Sequence, residues 1–188
     1  GLLNMLHMFV NDFGEEFAPM IAVDSANSVA ADDTNSLRYG MRTNGKSGFV
    51  FVNHYQRLTE LADIENAVIS AENVEFPPID VKGEVSFFMP FNMKMGDSVL
   101  EYATAQPLCK CDDTYFFAEI PNIKAEYKFS KGSANIVTVP FENAKYMRKL
   151  NGTVYIGGVC NLYEENGQIH SVEDGEYICQ KWNGSEFE

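Results

Sequence analysis

A short run of polar and aromatic side chains has the residue types that bind carbohydrates. Asn53, His54, Tyr55 and Arg57 follow directly after the apolar residues 49–52. In sugar recognition, an aromatic ring packs against the C–H surface of the sugar, and Asn, Arg and acidic side chains hydrogen-bond its hydroxyls. These four residues are therefore candidate carbohydrate-binding residues.

Trp182, the single tryptophan of the chain, is a fifth candidate because its ring could also stack on a sugar. Each of these residues has a structural interpretation as well. Tyr55 and Arg57 are of types that pack at a sheet edge or at a seam between domains, and Trp182 could anchor a terminal strand. Both interpretations stay open at this point.

The sequence contains no recognisable catalytic group. A retaining glycosidase needs two carboxylates about 5 Å apart, but among 27 acidic residues some pair will be close by chance. The neighbouring acids at 15–16, 112–113 and 164–165 lie on a helix face or in turns, where we expect them to be solvated. No G-x-S-x-G nucleophile motif occurs, and the three histidines are isolated from one another. We expect no catalytic residue in this chain.

The cysteines do not have the spacing of a metal site. Cys109 and Cys111 form a C-x-C pair, not the C-x2-C pair of a zinc site, and no His stands at partner spacing. The two side chains point the same way along a strand, so a disulfide between them would be strained. The acidic segment 24–35 lacks the order of an EF-hand. We therefore expect free thiols, no metal and no cofactor.

The charge balance excludes some classes of partner. The chain has 27 acidic and 14 basic residues, a formal charge of −13. Nucleic acids and anionic membrane surfaces both need a basic footprint, so neither is an expected partner. No apolar run approaches the ~20 residues that a membrane-spanning helix needs. The chain lacks an initiator Met and a signal-peptide pattern, so we expect it to start inside a larger protein of unknown compartment.

Residues 2–20 have the apolar spacing of an amphipathic helix that ends before Pro19. The polar residues of this segment are expected on the opposite face. A helix this rich in aromatic residues must cover an apolar surface, which is either a β-sheet of this chain or another domain. The predicted apolar residues are Leu2, Leu3, Leu6, Phe9, Val10, Phe13, Phe17 and Met20, and the predicted polar ones are His7, Asn11, Asp12, Glu15 and Glu16.

Alternation of apolar and polar residues predicts a β-hairpin further along the chain. Leu37, Tyr39 and Met41 alternate with polar residues or glycine, as in a strand with one buried face. Residues 43–48 supply the turn because Asn and Gly tolerate the positive φ that tight turns need. Residues 49–52 are the apolar return strand.

Several short strands, separated by turn residues, are expected after this hairpin. The predicted fold is therefore mainly β, an antiparallel β-sandwich or jelly-roll-like domain preceded by one N-terminal amphipathic helix. One further helix is predicted over Glu142–Leu150, where Ala144, Met147 and Leu150 have helical spacing and Asn151-Gly152 forms the stop.

The hairpin segment also carries a resemblance to a known family. Residues 38–57, RYGMRTNGKSGFVFVNHYQR, are similar to the segment that follows the catalytic barrel in bacterial family 35 glycoside hydrolases, the β-galactosidase-like enzymes. His54 stands where that family often has a second Asn. Residues 2–20 resemble the last barrel helix of the family, and residues 100–120 resemble a later pair of strands.

The resemblance implies a division of the chain and a function. Residues 1–23 would be the last helix of a missing barrel with its connection, and residues 24–188 a β-sandwich accessory domain. The family's catalytic acids lie at the ends of barrel strands, a region that is not in this chain. The expected function is that of a non-catalytic domain that supports the barrel of a β-galactosidase-like parent. The alternative is an autonomous carbohydrate-binding module.

These expectations name three partners. The first is the chain's own catalytic barrel, and the second is a galactoside or oligosaccharide. The third is a second copy of the chain, because the segment Leu2–Met20 would expose apolar surface when the barrel is absent.

Overall fold

The computed structural model describes residues 1–24, 29–158, 161–172 and 178–188. These residues are mainly β, with antiparallel sheets and one N-terminal amphipathic helix, so the predicted fold class is confirmed and is consistent with a β-sandwich. No helix of the described residues is long and apolar enough to cross a membrane.

The elements follow one another along the chain as short strands after a single long helix. In order they are α1 (Leu2–Phe17), β1 (Ile21–Asp24), β2 (Tyr39–Thr43), β3 (Gly48–His54), β4 (Ile64–Ala67), β5 (Ser70–Ala71), β6 (Val74–Glu75), β7 (Ile79–Val81), β8 (Val85–Met95), β9 (Ser98–Ala103), β10 (Gln106–Cys111), β11 (Thr114–Ala118), β12 (Tyr127–Lys131), β13 (Asn135–Val139), α2 (Phe141–Ala144), β14 (Met147–Leu150), β15 (Thr153–Ile156), β16 (Leu162–Glu165), β17 (Gln168–Ser171) and β18 (Gln180–Lys181).

The chain forms two compact units, each made of separate stretches of sequence. The first unit comprises Gly1–Gly14, Pro107–Ala118 and Asn135–Glu188, and the second comprises Glu15–Gln106 and Glu119–Ala134. The predicted division at residue 23 assigns the helix to a barrel outside this chain, and it stays a prediction.

The second unit contains a six-stranded sheet with the order β1-β2-β3-β8-β9-β12. One face of this sheet is covered by two short ladders, β4 with β7 and β5 with β6, which supply apolar side chains to a shared core. The fully buried members of this core include Val50 and Val52 of β3, Met89 and Phe91 of β8, and Ile69, Ala71 and Val81 from the ladder region.

The predicted hairpin is β2 and β3. The two strands pair antiparallel from Tyr39 opposite Val52 to Thr43 opposite Gly48. The N–H of Asn44 donates to the carbonyl of Ser47 at 3.1 Å across the turn, and Gly45 has a φ of +82°. The turn chemistry read from the sequence is therefore the chemistry that closes this hairpin.

The first unit has a separate core beneath the three-stranded sheets β10-β11-β13 and β14-β15-β18. Met5 and Met8 of α1 pack into this core, together with Leu108, Phe116 and Trp182. Strands β11 and β13 run parallel, which is an exception to the otherwise antiparallel pairing described.

The prediction of a helix over Glu142–Leu150 is wrong. The helix α2 ends at Ala144, and Met147–Leu150 is a strand that pairs antiparallel with Thr153–Ile156. Asn151 and Gly152 both have positive φ, 49° and 80°. This is the geometry that a two-residue hairpin turn favours, so the Asn-Gly pair connects two strands and does not end a helix.

Helix α1 begins at Leu2 as predicted and ends at Phe17, but only part of its apolar surface is buried. Met5, Met8, Phe9 and Phe13 are buried. Asp12, predicted on the solvated face, has a side chain only 5% exposed and accepts from Nζ of Lys149 at 2.8 Å. A second set of apolar side chains is between 40% and 68% exposed: Leu2, Leu3, Leu6 and Val10.

Gly48 gives a test of the hairpin packing. A Cβ at this position would clash with the carbonyl oxygen of Arg42 and would lie 2.8 Å from Cζ of Phe91. We expect Gly48→Ala to lower the free energy of unfolding by about 3 kcal/mol, because the β2–β3 pairing has to open to admit the methyl group. Urea-induced unfolding followed by circular dichroism measures this change.

Gly40→Ala is the matched control in the partner strand. A Cβ there would lie 3.6 Å from the carbonyl oxygen of Val23, an ordinary contact. We expect its stability to stay within about 0.5 kcal/mol of the wild type. Equal losses in the two variants would show that close approach at Gly48 is not the constraint.

Candidate functional site

The period of β3 decides where the predicted binding residues point. Val50 and Val52 lie in the core of the second unit, and side chains two residues apart on a strand share a face. His54 therefore continues the core face and is only 1% exposed. Asn53 lies on the other face and is exposed. The four neighbouring candidates are thus divided between two directions.

Asn53 and Arg57 do not join His54 and Tyr55 at one site. The Oδ1 atom of Asn53 accepts a hydrogen bond from Oγ of Ser86 at 2.9 Å, across the β3–β8 pair. Arg57 is exposed in the turn between Gln56 and Thr59. Neither residue lines the cavity described next.

An open cavity of ≈ 570 Å³ lies at the end of β3 in the second unit. His54 and Tyr55 line it, and Tyr55 is 47% exposed there. Three carboxylates also line it, from Glu60, Asp63 and Glu84, but no Lys or Arg does. The other lining residues are Gln56, Leu58, Thr59, Leu61 and Gly83.

Arg38 positions one wall of this cavity. Its Nη1 atom donates to Oε1 of Gln56, and its Nη2 atom donates to the carbonyl oxygen of Asp33 at 2.8 Å. Gln56 in turn donates from Nε2 to Oγ1 of Thr59 at 3.2 Å. The charge of Arg38 is thus used to hold the turn 56–59 against the loop that precedes β2, and it does not line the cavity.

Leu58 occupies an unfavourable position in that turn. Its φ is +62°, in the left-handed region, and its side chain is 95% exposed. A non-glycine residue in this region costs roughly 1–2 kcal/mol, and an exposed leucine recovers nothing from burial. Backbone strain of this kind is concentrated at functional sites.

His54 has no hydrogen-bond partner among the described residues at either ring nitrogen. Buried polar side chains nearly always have one, and an unpaired buried group costs about 1–3 kcal/mol. The imidazole is therefore an expensive group to place on the core face of β3. Any role it has must come from something other than the described hydrogen bonds of the fold.

No family model matches this chain, and no curated protein matches it in sequence. The resemblance to family 35 glycoside hydrolases therefore stays a prediction.

Trp182 lies in the first unit and is 8% exposed. Its ring packs edge-on against Phe116 at 5.1 Å between centroids and lies 5.3 Å from Phe187. Its N–H backbone group donates to the carbonyl of Val154 at 2.9 Å. Burial leaves almost no ring surface for a sugar, so the anchoring interpretation is the one that the geometry supports.

The thiols are poor nucleophiles at neutral pH. Cys109, Cys111 and Cys179 are free, and burial raises the pKa of each thiol above its ordinary value. Cys160 lies outside the described residues. Among the residues that the structure describes, no group of three or more His, Cys, Asp or Glu side chains could hold a metal ion.

Most of the cavity residues carry no sequence signal of a binding site. Leu58, Glu60, Asp63 and Glu84 belong to no motif. Glu84 reaches the cavity because His54 pairs with Val85 in the β3–β8 ladder, and that long-range pairing has no local signal. The period of β3, by contrast, could have separated Asn53 from His54 in advance.

Replacement of His54 by leucine tests whether the imidazole serves the fold. We expect His54→Leu to leave the free energy of unfolding unchanged or to raise it by about 1 kcal/mol, because it removes a buried group without a partner. Urea unfolding is the measurement. A loss of stability would show that the imidazole makes a stabilising contact.

Thr104→Val is the matched control in the same unit. Thr104 is equally buried, at 1% exposed, but its hydroxyl donates to the carbonyl of Lys124 at 2.7 Å and accepts from the N–H of Glu126 at 2.8 Å. Removal of that hydroxyl leaves both groups unpaired, and we expect a loss of about 2 kcal/mol.

Proposed function

We propose that this chain is a non-catalytic β region of a glycoside hydrolase similar to the β-galactosidase-like family 35. Its role is to support the catalytic barrel of a longer protein in carbohydrate degradation. The parent enzyme cleaves terminal β-galactosides or related glycosides, and the chain itself is inactive. The resemblance of residues 2–20, 38–57 and 100–120 to that family supplies the identity of the parent.

The observation that carries the proposal is the exposed apolar stripe of α1. Leu2, Leu6 and Val10 follow one another at intervals of four residues, so they form one stripe, with Leu3 beside it. All four are exposed in the structure. An apolar stripe on a helix is normally buried against another part of the protein or against a partner.

The opposite side of the same helix is firmly held by the first unit. Met5 and Met8 are buried in its core, and the carboxylate of Asp12 accepts from the N–H of Lys110 and from Nζ of Lys149, both at 2.8 Å. A helix that is fixed along one side and apolar along another is suited to join two bodies. The family resemblance makes the second body a (β/α)8 barrel that precedes residue 1.

A second candidate function is an autonomous carbohydrate-binding module. The observation that favours it is Tyr55, whose half-exposed ring lines a cavity that also holds carboxylates as hydroxyl acceptors. An aromatic surface beside hydrogen-bonding groups is the arrangement that sugars require. The two candidates use different surfaces, so separate experiments test them.

The barrel-supporting role predicts that the isolated chain self-associates through α1. We expect light scattering to show a mass above that of the monomer at high protein concentration, and the double variant Leu3→Glu/Leu6→Glu to restore the monomer by placing charges in the apolar contact. Val68→Glu is the control, because Val68 is also exposed but lies in the second unit. A monomeric wild type at high concentration counts against an apolar docking face.

The coding DNA upstream of Leu2 tests the identity of the partner. An in-frame (β/α)8 pattern with two strand-end glutamates supports the proposed parent. A start codon at this point, or an unrelated upstream domain, overturns it even if the chain self-associates.

The module candidate predicts that the chain alone binds a sugar. Titration calorimetry with galactose and galacto-oligosaccharides measures this, and we expect Tyr55→Ala to weaken binding by at least about ten-fold, the equivalent of one stacking contact. Tyr163→Ala is the control, because Tyr163 is similarly exposed but packs on His170 outside the cavity. Equal effects of the two variants, or no binding at all, reject this candidate.

A further inference from the structure

The cavity at the end of β3 has a one-sided charge. Its lining contains the carboxylates of Glu60, Asp63 and Glu84 and no Lys or Arg. The Oδ1 atom of Asp63 accepts from the N–H of Gly83 at 2.9 Å, which holds this carboxylate at the cavity wall. The chain as a whole carries −13, so its net charge adds to the local negative potential.

His54 is the second, independent sign of a ligand. It lines the same cavity and is only 1% exposed, and neither ring nitrogen has a hydrogen-bond partner among the described residues. A neutral imidazole offers one donor and one acceptor. A ligand with N–H or O–H groups in the cavity would supply the partner that the fold does not.

Tyr55 gives the third element of recognition. An ammonium group is attracted to the face of an aromatic ring, and a half-exposed tyrosine ring at a cavity wall offers such a face. The same ammonium group has three N–H donors, which carboxylate oxygens accept in strong, charge-assisted hydrogen bonds. Carboxylates and an aromatic ring together therefore favour an organic cation.

Other ligand classes fit these residues less well. An anion would be repelled by three carboxylates with no basic side chain among the lining residues. A bare metal ion needs at least three well-placed ligands, and no such group occurs among the described residues. A neutral sugar needs hydrogen-bond acceptors but gains nothing from an excess of negative charge.

We propose that the cavity binds a small organic ammonium ion, and specifically a hexosamine whose amino group is free. Glu84 pairs with the ammonium group beside the ring of Tyr55, Glu60 and Asp63 add to the negative potential of the cavity, and His54 hydrogen-bonds a hydroxyl of the same ligand. This inference rests on the second candidate function, that the cavity takes a sugar, and it names the class of sugar.

A series of three matched sugars tests the inference on the whole 188-residue chain. Galactosamine carries the charged amine, N-acetylgalactosamine replaces it by a neutral amide, and galactose replaces it by a hydroxyl. In calorimetric titrations at low ionic strength we expect galactosamine to bind at least about ten-fold more tightly than either neutral sugar, and its affinity to fall as salt is added.

Variants of the cavity locate the binding. We expect Glu84→Gln to weaken galactosamine binding by about ten-fold and to leave weak galactose binding nearly unchanged, because only the charge is removed. Glu75→Gln is the control, since Glu75 is an exposed acid of the same unit outside the cavity. Thermal melts show that both variants are folded.

The outcomes separate this inference from the function on which it rests. Equal affinity for galactosamine and galactose retains a sugar-binding cavity but overturns the preference for a cation. Binding of galactosamine that is unaffected by Glu84→Gln places the site elsewhere and overturns the inference as well. Absence of binding to all three sugars rejects both the inference and the module candidate.

Discussion

The second unit depends on the coverage of its central strand, β3, from Gly48 to Val52. This strand is paired on both edges, with β2 and β8, so its backbone groups are satisfied within the sheet. Both of its faces are also covered. Val50 and Val52 enter the core, while Phe49 and Phe51 pack near Phe17 at the end of α1. Gly48 permits this density because no side chain separates it from Arg42.

The candidate site lies where this coverage ends. Beyond Val52 the outer face reaches solvent at Asn53, but the inner face continues for one more residue, His54. An apolar residue at that position would complete the core. The imidazole does not, since both nitrogens lack partners among the described residues. The cavity therefore begins at His54, the first residue of β3 whose buried polar atoms the described part of the fold does not pair.

Local signals account for what the sequence predicted correctly. The β2–β3 hairpin follows from alternation and an Asn-Gly turn, both of which lie within a few residues of the strands they specify. The same kind of signal was misread at Asn151-Gly152, where helical spacing before the turn outweighed the turn itself. Helical spacing also predicted α1, but it could not show that Leu2, Leu3, Leu6 and Val10 stay exposed.

Non-local pairing accounts for what the sequence could not predict. Glu84 joins His54 because β8 pairs with β3, and the turn 56–59 is fixed by Arg38 from the beginning of the hairpin. Trp182 is buried because Phe116 and Phe187 come together around it. None of these contacts has a sequence pattern of its own. Residue types alone therefore suggested binding residues but could not show which of them lie together.

Two unfavourable features coincide at the cavity wall. Leu58 adopts a left-handed backbone conformation with its side chain in solvent, and His54 is buried without a described partner. Each costs on the order of 1–3 kcal/mol, and each would be removed by a single substitution, to glycine or to leucine. A strand end with only a structural role could avoid both unfavourable features. A ligand that bonds His54 and contacts the exposed rim would offset them, which is why the cavity, and not the better-covered remainder of the sheet, is the place to look for binding.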